Sequence, residues 1–348
     1  MKLWQFVVRR LLLLIPVFLG VTAITFALVN SSGDPCLVYY HDKMTPTQRD
    51  EVALRYGCHE PVLTRYAIYM NNLVHGDFGE SRQSRNPVSV DLMQRFPATF
   101  ELTLFAMALA IIVAIPLGVI SATRKDTLPD HLARTFALSG VSIPIFWFAL
   151  MLQLFMFSMD RAGYPALPYS GRYSAQLVIE HPFLANQSMQ PTGFLLIDSI
   201  LWGDPKAFFD LLAHIIMPAM ALAYISIAII TRMMRSSMLE VLRQDYVLTA
   251  RSKGLPERTV IRRHARRNAM IPTVTVIGLS FGGLLTGAVL TESVFSWPGV
   301  GLWSTTAIQA RDTAVIMGFA TVISLVYVLA NLIVDILYAY LDPRIRLE

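Results

Sequence analysis

Six stretches of 20 or more residues lack Asp, Glu, Lys and Arg, and they constrain this chain more than any motif. They cover 11–30, 102–123, 135–159, 211–231, 268–291 and 313–334. A helix rising about 1.5 Å per residue needs about 20 apolar residues to cross roughly 30 Å of hydrocarbon. Composition agrees, with 54% hydrophobic and 15% charged residues against about 25% charged in soluble domains. The expected fold class is an all-α membrane protein with six transmembrane helices. Lys2, Arg9 and Arg10 precede the first run as they would in a signal peptide. Its apolar core is longer than a signal sequence needs and no small-x-small cleavage site follows, so it reads as an uncleaved span.

Basic loops stay in the cytoplasm, and this sets the orientation. With the N-terminus inside, the cytoplasmic segments 1–10, 124–134, 232–267 and 335–348 hold 18 basic and 8 acidic residues, and the remainder holds 11 and 16. Both termini are therefore expected in the cytoplasm. Loops 31–101 and 160–210 then lie outside, the first holding Cys36 and Cys58. Between them Thr45-Pro46-Thr47-Gln48 reads as a capping box with Pro46 at the first helical position and Gly57 as the stop, predicting a helix over 46–56. In an oxidising compartment a Cys36–Cys58 bridge would close about 20 residues and contribute roughly 3 kcal/mol. Two free thiols are the alternative, since spacing does not decide pairing.

The one long cytoplasmic loop is 232–267. Met238, Leu242, Tyr246 and Ala250 recur every four residues and predict one helical face. Gly254 and Pro256 end that helix, and a basic helix resumes over 257–270. Arg262, Arg263, Arg266 and Arg267 suit anionic lipid at about 1 kcal/mol each. A nucleic-acid helix-turn-helix is disfavoured because spans tether the loop at both ends. An apolar stripe ending in an exposed Gly turn instead suits another protein.

Several motifs mislead. No G-x-x-x-x-G-K-[ST] occurs, so no phosphate-cradling loop is expected in this chain. No zinc pattern or His-Glu-x-x-His occurs, and no metal site is expected. Asp77-Phe78-Gly79 spells a kinase magnesium motif without its supporting loops and reads as a turn. Gly278-Leu279-Ser280-Phe281-Gly282 spells the nucleophile elbow, and an intramembrane serine hydrolase with His214 as base is the remote alternative. An elbow needs a preceding strand, whereas Gly278, Gly282, Gly283 and Gly287 are spaced for helix packing. An ion-coupled secondary transporter is the nearer alternative, disfavoured because no run carries an interior charge for coupling. Prolines 16, 116, 144, 218 and 272 predict kinks. The segment 292–301, with Trp297-Pro298-Gly299, is expected to lie as a short amphipathic turn at the outer interface.

The stretch from Asp245 to Leu255 resembles the EAA loop of ABC importer permeases of the dipeptide and oligopeptide type. Ala250 and Gly254 match, while Leu248 and Thr249 stand where Glu and Ala would be. Gly33-Asp34-Pro35, Gly76-Asp77-Phe78-Gly79, Ser142 to Trp147, Leu167 to Arg172, Phe295 to Gly299 and Asp342-Pro343-Arg344 are similar to stretches of the same permeases in the same order. Gly193 to Asp198 looks closest to the dipeptide branch. The resemblance implies a type I importer permease fold with a first helix and outer loop (1–96), a five-helix core (97–338) and a cytoplasmic tail (339–348). It implies an inner-membrane transport subunit that is not itself an enzyme and carries dipeptides or short peptides inward by alternating access. The implied partners are a second homologous permease, two cytoplasmic ATPases that hold ATP and Mg, and an extracytoplasmic peptide-binding protein. This chain itself would bind no cofactor and no nucleic acid, and membrane lipid would surround it. Tyr246, Thr249, Ala250, Arg251, Gly254 and Leu255 would form the ATPase-coupling loop, with Gly254 and Leu255 at its tip. Phe295, Trp297, Pro298 and Gly299 would border the outer gate.

Overall fold

The computed structural model describes residues 3–31, 39–40, 44–184 and 190–341. Among the described residues the secondary structure is helical, apart from one bridge between Glu80 and Pro87. In chain order the helices are α1 (Leu3–Ser31), α2 (Pro46–Arg55), α3 (Val62–Val74), α4 (Val88–Thr123), α5 (Leu128–Ser142), α6 (Ile145–Arg161) and α7 (Leu177–Glu180). There follow α8 (Leu195–Leu201), α9 (Pro205–Val241), α10 (Asp245–Ser252), α11 (Glu257–Thr259), α12 (Arg266–Phe295), α13 (Val300–Gln309) and α14 (Thr313–Leu341). A π-helical turn, Val260–Ala265, joins α11 to α12.

Local signals explain several boundaries. Thr45 and Gln48 close both halves of the predicted capping box, at 3.4 and 3.0 Å, and Gly57 leaves α2 at φ +63°. Asp204 caps α9 by accepting from the Ala207 N–H at 3.0 Å, with Pro205 at the first position. Both pairings satisfy amide donors that a helix start leaves open.

Among the described residues five helices are long and apolar enough to cross a membrane, or six if α5 and α6 count as one. The run 135–159, expected as one span kinked at Pro144, is broken there, with α5 and α6 at 108° to each other. Ile143 precedes Pro144 and adopts φ −89°, ψ 124°, outside the helical region. Proline disfavours the helical conformation at the residue before it, and the break falls there. The other predicted kink sites, Pro16, Pro116, Pro218 and Pro272, lie inside continuous helices. The boundary expected at 96/97 falls within α4, which starts at Val88.

Helix α9 is the hub, packing against α4, α5, α6, α8 and α12. Its closest neighbour is α4, whose buried Ala98, Leu102, Ala106, Ala110, Ala114 and Gly118 recur every fourth residue. Small side chains on one face let two membrane helices approach closely, where dispersion contacts replace the missing hydrophobic drive. A Cβ on Gly118 would stand 2.6 Å from Met234 Cβ and 2.9 Å from the Thr231 carbonyl oxygen. Gly118→Val is expected to destabilise the fold by about 1–3 kcal/mol, read as a lower unfolding midpoint in detergent. An unchanged midpoint would show that α4 and α9 can separate without loss.

Helix α1 packs on α14 and on α3, where the Thr22 hydroxyl meets Tyr66 OH at 2.9 Å. Elsewhere it exposes apolar side chains such as Leu12, Ile24 and Leu28, as a lipid-facing helix would.

Candidate functional site

The loop after α9 forms a separate small knob. The predicted continuous face from Met238 to Ala250 is broken, because α9 ends at Val241 and Gln244 is extended at φ −75°, ψ 147°. Met238 stays with the bundle beside Met234, Ala265 and Ala269. Val247 and Ala250 turn inward onto Val260 to make a second core, with Val241 and Leu242 at its edge. Tyr246 faces outward, correcting its expected place on the stripe, and its hydroxyl accepts from Asn268 Nδ2 at 2.8 Å. Thr249 is also exposed, donating to the Asp245 carbonyl at 2.9 Å. Gly254 turns at φ +74°, with no atom within 4 Å of where a Cβ would lie. Arg251 grips Glu257 through Nε at 3.1 Å and Nη2 at 2.7 Å, pinning the two arms of that turn. A two-point Arg–carboxylate pair adds geometric rigidity even where exposure makes it energetically weak. Leu248 and Leu255 are exposed beside the Gly turn.

At the opposite end of the bundle lies a buried polar knot. Trp297 was expected at the interface, yet it is 1% exposed and heads the fully buried side chains by volume. Ser296, at φ +52°, turns the chain inward, and the Trp297 N–H then donates to the Glu292 carbonyl at 2.9 Å. The indole Nε1 donates to the Ala98 carbonyl at 2.9 Å. Glu292 is fully buried, accepting from the Thr99 hydroxyl at 2.5 Å and the Leu302 N–H at 3.0 Å. The same Thr99 oxygen accepts from the Val300 N–H at 2.9 Å, at the start of α13. Above the indole, 5.7 Å from its centre, Arg172 donates to Glu101 at 2.5 Å and to the Gly193 carbonyl at 3.1 Å. Phe295 packs on Ala149, Met217 and Ala221, and its carbonyl accepts from the Gly171 N–H at 2.8 Å. Pro298 is half-buried and Gly299 buried.

The knot therefore ties α4, α12 and α13 to the segment between α6 and α9. Sequence reasoning did not select Thr99, Glu101, Arg172 or Glu292. One signal was available: Glu101 stands one residue before the run 102–123, and Glu292 one residue after 268–291. Charges there could meet solvent or fold inward, and only the partners decide.

Between the start of α6, α9 and α12 lies a cavity of about 450 Å³, lined by Ile145, Leu222, Ile225 and Leu284 with the hydroxyls of Ser226 and Ser280. The glycine stripe of α12 divides around it. A Cβ on Gly282 would stand 2.9 Å from Tyr327 of α14, and one on Gly287 would stand 3.6 Å from Leu222. Gly283 opens into the cavity with no neighbour within 4 Å, and Gly278 is half-buried. Ser280 sits inside α12 and donates to the Val276 carbonyl at 2.8 Å. The His214 Nδ1 is engaged by the Asp210 carbonyl at 2.8 Å. No strand precedes Ser280, so the serine-hydrolase alternative lacks its elbow.

Asp77 sits in the expected turn before Gly79, accepting from its N–H at 2.9 Å, from Arg55 at 2.6 Å and from Tyr56 OH at 3.3 Å. Burial, reinforced by Asp77, pushes the Tyr56 hydroxyl up to about 12, so it remains a donor. Cys58 is disulfide-bonded. Cys36 lies outside the described residues, as do Gly33-Asp34-Pro35 and Asp342-Pro343-Arg344.

Residues 114–347 match the family described as the binding-protein-dependent transport system inner membrane component, and residues 3–103 match its N-terminal companion. The chain is 44% identical over 344 residues to the dipeptide transport system permease protein DppB of Escherichia coli, covering 98% of each. The di/tripeptide transport system permease protein DppB of Pseudomonas aeruginosa matches at the same identity and coverage. The oligopeptide transport system permease protein AppB of Bacillus subtilis is 34% identical over 98% of this chain and 99% of its own. With its bundle of apolar helices, its projecting loop and these full-length relatives, this multi-pass chain belongs to the binding-protein-dependent transport permeases of the inner membrane, in their dipeptide and oligopeptide branch.

Proposed function

We propose that this chain is a membrane-spanning subunit of an ATP-driven importer of dipeptides or short peptides. Its nearly full-length identity to permeases named for that cargo supports the reading. The observation that carries the mechanism is the knob at Gly254, pinned by Arg251 and Glu257 yet touching nothing of its own chain at the tip. Two cytoplasmic ATPases, holding ATP and Mg, close on that knob, and the movement opens the opposite end to a peptide-binding protein. Hydrolysis restores the inward-facing state. A second, homologous permease completes the cavity between α6, α9 and α12.

The basic-loop asymmetry supports cytoplasmic termini, with α2, α3 and a Cys36–Cys58 bridge on the outer side. An uncharged cavity suits this division of labour, since the binding protein selects and the ATPases drive. An ion-coupled carrier would need an ionisable group on its path, whereas among the described residues that line this cavity none is charged.

Solubilisation of the tagged chain in mild detergent, followed by mass spectrometry, tests the assembly. Recovery of two P-loop ATPases and a second permease is expected. Recovery of the chain alone, in several detergents and with ATP present, would overturn the importer assembly.

A further inference from the structure

A cavity of about 330 Å³ opens between α5 and α9 at the end of the bundle where α9 leads into the knob. Arg134, Arg232 and Arg235 line it, with the hydroxyls of Ser121, Thr231 and Ser236, and among its described lining residues none is acidic. Two carboxylates answer the guanidiniums from beneath, Asp130 directly and Asp126 through its field on Arg235. Asp130 is fully buried, takes Arg235 at 2.8 and 2.9 Å, accepts from Ser121 at 2.5 Å and lies 3.6 Å from Arg134. Three cations against these two anions still leave a surplus positive charge, and exposed Arg232 makes no hydrogen bond or ion pair among the described residues. The level of the site is set by the sequence. Arg134 immediately precedes the charge-free run 135–159, and Arg232 immediately follows 211–231. Both guanidiniums therefore stand at the edge of the hydrocarbon, and from there α5 exposes Leu138 and Val141 into it.

We propose that this cavity seats one anionic phospholipid, its phosphate on Arg134 and Arg232 and an acyl chain along Leu138 and Val141. Guanidinium matches phosphate oxygens in a two-point geometry. A free phosphate would use the cations but leave the adjoining apolar ridge without a role, and charge together with apolar surface at one boundary favours the lipid. Arg235 holds Asp130 and positions the site from below. The inference requires only that the chain spans a membrane.

The full-length chain, in the complex in which it is isolated, is placed in nanodiscs of phosphatidylcholine doped with phosphatidylglycerol, and retained lipids are counted by native mass spectrometry. Wild type should keep one phosphatidylglycerol more than R134Q/R232Q, whose affinity should fall roughly 30-fold at about 1 kcal/mol per cation. R134K/R232K, which keeps the charge but loses the two-point geometry, should fall between wild type and R134Q/R232Q, and R243Q, at an exposed site in the turn after α9, should match wild type. Equal retention by wild type and R134Q/R232Q would overturn the proposal. Release of the lipid by inorganic phosphate at millimolar concentration would also overturn it, making the cavity a free-anion site. Should R134Q/R232Q fail to fold, phenylglyoxal modification of the wild type decides. Phosphatidylglycerol, and not phosphatidylcholine, should protect Arg134 and Arg232, and equal modification in both lipids would refute the site.

Discussion

Replacement of Gly254 by Trp should abolish peptide uptake while the folded permease stays in the membrane and ATP hydrolysis by its complex continues. Gly254 occupies the left-handed region at φ +74°, where a side chain costs about 1–2 kcal/mol in local strain. That strain acts on an exposed turn whose supporting core, Val247, Ala250 and Val260, faces away from it. Apart from its chain neighbours, no atom of this chain lies within 4 Å of the added Cβ, so the start of a side chain there has open space in the permease alone. Gly254→Ala imposes the same backbone strain without the bulk and separates the two effects. Uptake by Gly254→Ala should remain within a few-fold of wild type, while Gly254→Trp should fall to background. Ordinary uptake by the Trp variant would remove Gly254 from the coupling surface, and equal loss in both variants would assign the effect to the turn itself.

Removal of Arg172 alone should strongly destabilise the end of the bundle opposite the knob. Arg172 and Glu101 are 7% and 8% exposed and meet at 2.5 Å. Arg172→Met leaves the Glu101 carboxylate buried with only the Leu196 N–H, at 2.9 Å, to answer it. Stripping one partner from a buried ion pair is expected to destabilise by about 3–5 kcal/mol. The double variant Glu101→Gln/Arg172→Met removes the orphaned charge and should recover most of that loss. Unfolding midpoints in detergent measure both. A double variant as unstable as Arg172→Met would mean that the guanidinium over Trp297 and its bond to Gly193, not the ion pair, hold the knot.

The two sites differ in how far the sequence revealed them. The coupling turn was legible because Gly254 and Pro256 are backbone signals that act locally, and Gly254 does take the left-handed conformation. The face around it was not legible. A spacing of four placed Tyr246 with Ala250, but the chain breaks at Leu242–Gln244 and Val247 takes the inward position instead. Periodicity is informative only while one helix continues, and nothing in the local sequence favours that break as Pro144 favours the break between α5 and α6.

The sequence by itself determined the membrane environment, the number and placement of apolar runs, the cap of α2 and the family. Each follows from hydropathy, or from short-range hydrogen bonding and proline or glycine geometry within a few residues. Tertiary structure alone decided which charges at the ends of those runs turn inward. Glu101, Asp130 and Glu292 are 8%, 0% and 0% exposed, each accepting from a side chain 71 to 193 positions away in the chain. Desolvating a charge is unfavourable unless such partners are already in place. Their inward course is therefore a property of the packed bundle, absent from any local stretch of sequence.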